Sequence, residues 1–158
     1  RSLTIYPDSR GARHTLAISS DAMKYWSESD SLYEGLIASD TNDVQALNNY
    51  SYSLVERNIR LEKSLEMSKK AIDLEPDNAA YLDTIGWIYF KLNNAQKALY
   101  YIRRSIELDD KNAVVLEHLG DVLIAAEQSD EARTIYLRAL DLDKNNNLLK
   151  QKAGVMPD

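Results

Sequence analysis

The sequence contains no cysteine, and only five glycines and three prolines occur among its 158 residues. Without cysteine, neither a disulfide framework nor a thiolate metal site can form. Scarce glycine and proline, together with abundant Leu, Ala, Glu and Lys, favour helices over a turn-rich β fold. The absence of cysteine suits the cytosol and the periplasm equally, so the compartment stays open.

Excess positive charge and long apolar runs are also missing. The formal net charge is −6, whereas nucleic-acid binding requires clustered Lys and Arg that contact phosphates. The charge therefore argues against a general nucleic-acid binder and against binding to anionic membrane surfaces. No apolar run approaches the length that spans a bilayer. The chain begins at Arg1 rather than at an initiator Met, so we expect a mature or excised segment.

The sequence does contain an internal repeat of 34 residues. Two copies align without a gap, so that Gly86 falls over Gly120 and Ala98 falls over Ala132. Two more copies precede them, of which one is a residue longer and the other is degenerate. We expect a single array with a preceding repeat tail at 1–9, repeats at 10–43, 44–78, 79–112 and 113–146, and the start of a capping helix with a tail at 147–158.

Each repeat is expected to form two amphipathic helices, because apolar residues recur at every third or fourth position. The turns between paired helices are predicted near residues 23–25, 58–61, 93–94 and 127–128. Asn93 can adopt the left-handed conformation that a helix end often needs. Small residues at one register of each helix indicate close helix contact; they are Ala17, Ser51, Gly86, Gly120, Ser29, Ser64, Ala98 and Ala132.

A recurring set of apolar and small residues gives the repeats a recognisable signature. Its members are Leu82, Ile85, Gly86, Tyr89, Ala98 and residues 105–109 in one repeat, and Leu116, Leu119, Gly120, Leu123, Ala132, Tyr136 and Ala139 in the next. This signature resembles that of the tetratricopeptide repeat family, especially its bacterial members. The resemblance is weaker in the first repeat, where Lys24 replaces a turn-forming residue. It implies an all-α fold, a right-handed α-solenoid of antiparallel helix pairs, whose first helices line a concave groove.

Residues for catalysis are hard to find. His14 and His118 lie in different repeats without a neighbouring Cys, and surface or groove positions are favoured over ligand or base roles. The acidic runs lack the alternating carboxylates and central Gly of a calcium loop. Neither a phosphate-binding glycine loop nor a nucleophile elbow is present. We therefore expect no enzymatic activity, no cofactor and no metal.

The aromatic residues divide into core candidates and binding candidates. Those at apolar registers are expected in the core: Tyr33, Tyr89, Tyr101 and Tyr136. Trp26 lies near a turn and is expected to pack between helices. Trp87 and Tyr52 follow the small position of their helices, at a place that faces the groove in the resembled family. Two interpretations stay open for them, which are recognition of a partner and packing beneath a neighbouring helix.

The resemblance also implies which other side chains would face the groove. The proposed peptide-binding residues are Asn48, Asn49, Tyr52, Glu56, Asp83, Thr84, Trp87, Lys91, Glu117, His118 and Asp121. Some family members grip a partner's terminal carboxylate with Lys, Arg and Asn. The matching positions here hold His14, Ile18, Asn49, Ala80 and Thr84, or Val114 and His118 if the next repeat is used, so that clamp is absent. Acidic residues around aromatic rings instead favour a neutral or basic protein or peptide that carries an apolar residue.

The sequence thus predicts a non-catalytic module that binds a partner's peptide or helix. One alternative is a structural array that self-assembles into a homo-oligomer through exposed end helices. The apolar residues near the C-terminal end, Leu137, Leu140 and Leu148, would then mediate assembly. A second alternative is a regulatory segment of a larger enzyme.

Overall fold

A computed structural model describes residues 9–155, and every regular element in that range is an α-helix. The helices are α1 (Arg10–Ala22), α2 (Trp26–Ser39), α3 (Val44–Glu56), α4 (Leu61–Leu74), α5 (Ala79–Lys91), α6 (Ala95–Leu108), α7 (Ala113–Ala125), α8 (Ser129–Leu142) and α9 (Asn147–Lys152). The predicted all-α class is therefore confirmed. None of these helices has the length and apolar character needed to cross a membrane.

The chain divides into two compact units, at residues 1–75 and 76–158. Unit 1 contains α1 to α4 and unit 2 contains α5 to α9. In each unit, consecutive helices pack as pairs, and the first helices of successive pairs contact each other directly, α1 with α3 and α5 with α7. The predicted tail of a preceding repeat lies, except for Ser9, outside the described residues, as do the last three residues.

Every turn within a helix pair contains a left-handed residue at the same place. These residues are Lys24, Asn58, Asn93 and Glu127, with φ between 53° and 62°, and the turn between α3 and α4 contains a second one, Arg60, with φ of 48°. At the residue after the shared left-handed position, a backbone N–H bonds back to the preceding helix, as in Asn94 N to Tyr89 O at 2.8 Å. The prediction for Asn93 is confirmed. Lys24, a departure from the repeat signature, adopts the same conformation because the surrounding hydrogen bonds fix the turn.

The first helix of every repeat begins with a side-chain cap. The residues that cap α1, α3, α5, α7 and α9 are Ser9, Asp43, Asn78, Asn112 and Asn146, and each side chain accepts a bond from a backbone N–H of the first turn. Such caps satisfy N–H groups that have no partner inside the helix. The polar residues that close one repeat in the sequence thus start the next repeat's first helix.

The small residues of the repeats lie where paired helices approach most closely. A Cβ on Gly86 would meet the Ile102 side chain at 2.5 Å, and a Cβ on Gly120 would overlap the Tyr136 ring. Ala98 and Ala132, on the partner helices, are fully buried. The prediction that packing explains these small side chains is confirmed.

Most aromatic residues predicted in the core are found there. Tyr33, Tyr89 and Tyr136 are buried, and Tyr101 is half-buried. Trp26, which is expected to pack between helices, is 42% exposed. It is the first residue of α2, and the guanidinium of Arg57, the C-cap residue of α3, lies 5.6 Å from its ring centroid.

Candidate functional site

In unit 2, seven of the predicted binding residues lie on two adjacent helices. Asp83, Trp87 and Lys91 are spaced by four and share one side of α5. Because α5 contacts α7 directly, these side chains can meet those of α7. We use the name α5–α7 face for the following residues: Asp83, Thr84, Trp87, Lys91, Glu117, His118 and Asp121.

His118 links the two helices of the α5–α7 face. Its Nδ1 lies 3.0 Å from both carboxylate oxygens of Asp83, and both residues are about 95% buried. An ionised carboxylate only accepts hydrogen bonds, so Nδ1 carries the proton and donates it. The His118 ring also stacks on Trp87, with centroids 4.0 Å apart and planes 14° from parallel. His118 is therefore a structural tie between α5 and α7.

Trp87 is covered by its neighbours within unit 2. Only 6% of the residue is exposed. Its ring stacks on His118 and on Phe90, whose centroid is 4.8 Å away, and Lys91 Nζ lies 4.7 Å from its centroid. Cations favour such positions above an aromatic face. Of the two interpretations of Trp87, packing therefore describes the chain without a ligand. Phe90 and Lys91, which are both half-buried, cover the Trp87 ring.

The acidic residues of the α5–α7 face are already paired. Lys152 of α9 places Nζ 2.7 Å from Glu117 Oε1 and 2.7 Å from Asp121 Oδ1. Tyr136 donates its hydroxyl to Asp121 at 2.7 Å. Burial and this bond raise the pKa of Tyr136. Burial lowers the pKa of Lys152, but its bonds to the two carboxylates outweigh that effect and raise the pKa.

Two residues of this region were missed by the sequence interpretation. Lys152 lies 34 positions after His118, and Ile124, which is 49% exposed, lies 34 positions after Phe90. The repeat register was the available signal for both. Ile124 on α7 and Phe90 on α5 thus occupy equivalent places on contacting helices, beside the paired charges of the α5–α7 face.

The four predicted binding residues of unit 1 lie on α3. Asn48, Tyr52 and Glu56 are spaced by four and share one side of this helix. Asn48 is buried, and its Oδ1 accepts no hydrogen bond from any residue in the range 9–155. Asn49 and Tyr52 are half-buried, and Glu56 is exposed.

His14 contacts the residue that caps the N-terminus of α3. The family resemblance places His14 at the N-terminal end of the groove. Its Nε2 lies 2.9 Å from Oδ2 of the α3 cap, Asp43, and both residues are buried. Arg10 also pairs with Asp43, at 2.8 Å. Burial would raise the pKa of Asp43, but bonds from the Ala46 N–H and from Arg10 outweigh burial and lower it. Within the described range, no group of three or more His, Cys, Asp or Glu could hold a metal ion.

Comparisons with known proteins identify the repeats. A family profile described as Tetratricopeptide repeat matches residues 79–112 and 113–146. A TPR repeat-containing protein of Pseudomonas aeruginosa is 29% identical over 97 residues, which are 60% of this chain. The chain spans only 16% of the length of that curated relative.

Solved structures show the same fold. A thermophilic TPR protein of Thermus thermophilus superposes with a TM-score of 0.83 at 20% identity, over 96% of this chain and 83% of that protein. The first TPR of Spaghetti (RPAP3), bound to an HSP90 peptide, superposes with a TM-score of 0.65 at 18% identity, over 73% of this chain and 93% of that one.

Proposed function

We propose that this chain, whose residues 79–146 match the Tetratricopeptide repeat family, is a non-catalytic interaction module that binds a partner peptide or helix. The surface we propose is the α5–α7 face of unit 2. On unit 1, the α3 residues Asn48, Asn49, Tyr52 and Glu56 are proposed as a separate contact surface. The fold of the RPAP3 domain, which holds an HSP90 peptide, supports a peptide as the ligand. The division of the chain into four repeats stays a prediction.

The observation that carries this proposal is the direct contact between α5 and α7. It presents Phe90 and Ile124 in equivalent positions, with Lys91, Glu117 and Asp121 partly exposed around them. Because ion pairs hold Glu117 and Asp121 and ring stacking holds Phe90, these three side chains lose little conformational freedom when a ligand binds. An apolar ligand side chain can lie on Phe90 and Ile124, which supplies the anchor that such interfaces need.

The charges of the surface favour a neutral or basic ligand. Asp83, Glu117 and Asp121 carry three negative charges, and Lys91 and Lys152 carry two positive charges. With histidine counted as neutral, one negative formal charge remains, although the Asp83 carboxylate that contributes to it is buried. This surplus is modest because Lys152 neutralises much of the acidic pair, so apolar contact rather than charge is expected to supply most of the affinity.

A peptide array tests the ligand class. We expect the chain to bind peptides that carry Arg or Lys beside Leu more strongly than the same peptides with Glu in place of the basic residue. Asp121→Lys should reduce this preference, and added salt should reduce the difference between the variant and the original chain. Equal binding of both peptide sets by the original chain would contradict the proposed charge preference.

Two alternatives from the sequence keep specific support. Leu148 is 52% exposed and Leu137 is 39% exposed in unit 2, so assembly through that end of the chain stays a candidate. If assembly is the main function, Leu148→Ser will change the molar mass in light scattering while peptide binding is absent. Because the chain covers a small part of its curated relative, a regulatory role within a larger protein is also proposed.

A further inference from the structure

One edge of unit 1 exposes more large apolar side chains than its fold requires. Residues 22–28, which include the turn between α1 and α2, are exposed without interruption. Within this run, Met23 is 56% exposed, Tyr25 58% and Trp26 42%. Clusters of this kind on a soluble protein mark interaction sites more often than chance apolar exposure does.

The turn between α3 and α4 extends this cluster. Ile59 is 40% exposed, and Arg57 of the same turn reaches the Trp26 ring, 5.6 Å from its centroid. Arg57 also bonds to Asp30 of α2, which holds the two turns together. We use the name turn edge for the following residues: Met23, Tyr25, Trp26 and Ile59.

The backbone holds these side chains in place. Tyr25 N bonds to Ser20 O at 2.7 Å, and Ile59 N bonds to Leu54 O at 3.1 Å. Lys24, in the first turn, has a left-handed backbone with φ of 62°. Because these bonds fix the turns, the apolar side chains cannot easily fold back onto the helices, and the surface is preorganised for contact.

Unit 2 shows that the turn itself does not need aromatic residues. In the repeat register, Asn94 and Gln128 replace Tyr25, and Ala95 and Ser129 replace Trp26. Those turns form the same hydrogen bonds, since Gln128 N bonds to Leu123 O at 2.9 Å. The large side chains of the turn edge thus have no role in closing the turn. Aromatic residues, Met and Arg are instead the residues enriched in protein interfaces.

The charges around the turn edge indicate what covers it. Arg57 is paired with Asp30, and Arg60 and Lys63 are paired with Glu34. These pairs leave no basic patch that would attract a phosphate surface. Lys24 and Glu28 are both exposed, and neither forms an ion pair with another residue in the range 9–155.

We propose that the turn edge of one copy of the chain binds the turn edge of a second copy, forming a dimer with two-fold symmetry. Two-fold interfaces are self-complementary: if one residue contacts a second residue of the partner subunit, the second residue of the first protomer makes the same contact in return. Lys24 and Glu28 lie on either side of Tyr25 and Trp26 and have opposite charges. Lys24 of one protomer therefore lies opposite Glu28 of the partner subunit, while the aromatic rings cover each other near the axis.

Light scattering on the whole chain across a concentration series tests this dimer. The original chain should approach twice its 18.0 kDa mass as its concentration rises. Tyr25→Asn combined with Trp26→Ser, which installs residues that unit 2 uses in its turns, should weaken the dimer about tenfold or more. Tyr100→Ser removes an aromatic residue of similar exposure from unit 2 and should leave the dimer unchanged. Circular dichroism must show equal helicity in all variants.

A charge-exchange experiment makes the test specific to the symmetric arrangement. Lys24→Glu and Glu28→Lys should each weaken the dimer, because like charges then face each other, and combining both changes should restore it. A chain that is monomeric at every concentration would overturn the proposal. So would a double variant no more dimeric than the single variants, or a mass that responds to Leu148→Ser and not to the turn-edge variants. Peptide binding at the α5–α7 face is measured separately and does not depend on these results.

Discussion

Unit 1 and unit 2 join their paired helices by different chemistry at the same register. In unit 1, Ser64 Oγ donates to Ser51 O at 2.8 Å, while Ser51 Oγ lies 2.7 Å from Leu47 O in its own helix and 3.1 Å from Ser64 O across the pair. In unit 2, the residue matching Ser51 is Gly120, which leaves room for the Tyr136 ring. The register therefore limits the size of the side chain, while its polarity depends on what the facing helix offers.

The two buried histidine–aspartate pairs show the same difference. His14 contacts the residue that caps α3, and Arg10 completes that group. His118 contacts Asp83 in the middle of α5 and supports the stacked Trp87 ring. The first pair fixes where a helix begins, and the second fixes a surface. Identical partners thus serve different purposes because their neighbours differ.

The largest loss of folding stability is expected in the aromatic cluster of unit 2, and it should exceed the losses expected for the polar contacts of unit 1. Trp87→Ala removes a ring that is 94% buried and stacked on two others, and it should lower the free energy of unfolding by about 3–5 kcal/mol. A ring that faced an open groove would cost much less. Chemical denaturation followed by circular dichroism measures the change, and a loss below about 1 kcal/mol would contradict the observed packing.

The polar group of unit 1 is tested at Asp43. Asp43→Ala removes the α3 cap and leaves His14 without its partner, so the free energy of unfolding should fall by about 2–4 kcal/mol. Asp43→Asn keeps a cap and an acceptor, so it should cost less. Because the folded pKa of Asp43 is lowered, the stability due to its charge is present above about pH 4 and is lost as pH falls through the folded pKa.

Denaturation at several pH values measures the Asp43 effect. The difference between the original chain and Asp43→Asn should begin to shrink below about pH 4, where Asp43 of the unfolded chain becomes protonated, and should be lost below the lowered folded pKa. A difference that stays constant between pH 7 and pH 3 would show that the charge of Asp43 contributes no stability.

The smallest stability changes are expected when two glycines, one in each unit, are replaced by Ala. Gly120→Ala should lower the free energy of unfolding by about 1–3 kcal/mol, because the new methyl group overlaps the Tyr136 ring, which its bond to Asp121 restrains. Gly35→Ala in α2 of unit 1 meets nothing within 4 Å and should raise stability by about 0.5–1 kcal/mol. Thermal melts of both variants provide the measurement, and two shifts of the same sign would refute the size limit at Gly120.

Periodicity in the sequence predicted the features that each repeat shares. Small residues at one register and left-handed Asn93 follow from local rules that act in every repeat, and the structure confirms both. The exposure of Trp26 was not predicted, because its apolar character suggested burial while its place at the first residue of α2 decided otherwise.

The repeat register could place Lys152 near the α5–α7 face, but the sequence does not show which side chains it pairs with. Lys152 is 35 residues from Glu117, and nothing local connects them. The sequence interpretation did not include Lys152 among the acidic residues. It therefore predicted a stronger attraction for a basic ligand than the ion pairs of Lys152 with Glu117 and Asp121 support. A long side chain such as that of Lys152 can reach several partners. The packing of α9 against the rest of unit 2 determines which of them it contacts.

The proposed binding at the α5–α7 face is tested most directly by isothermal titration of one peptide, carrying Arg beside Leu, into three forms of the chain. These are the original chain, Ile124→Ser on α7 and Leu142→Ser on α8, whose residues are 49% and 47% exposed. We expect Ile124→Ser to weaken binding about tenfold, because it removes an apolar anchor, and Leu142→Ser to leave the affinity unchanged. Equal affinity for all three forms, or a loss confined to Leu142→Ser, would contradict the assignment of the binding surface.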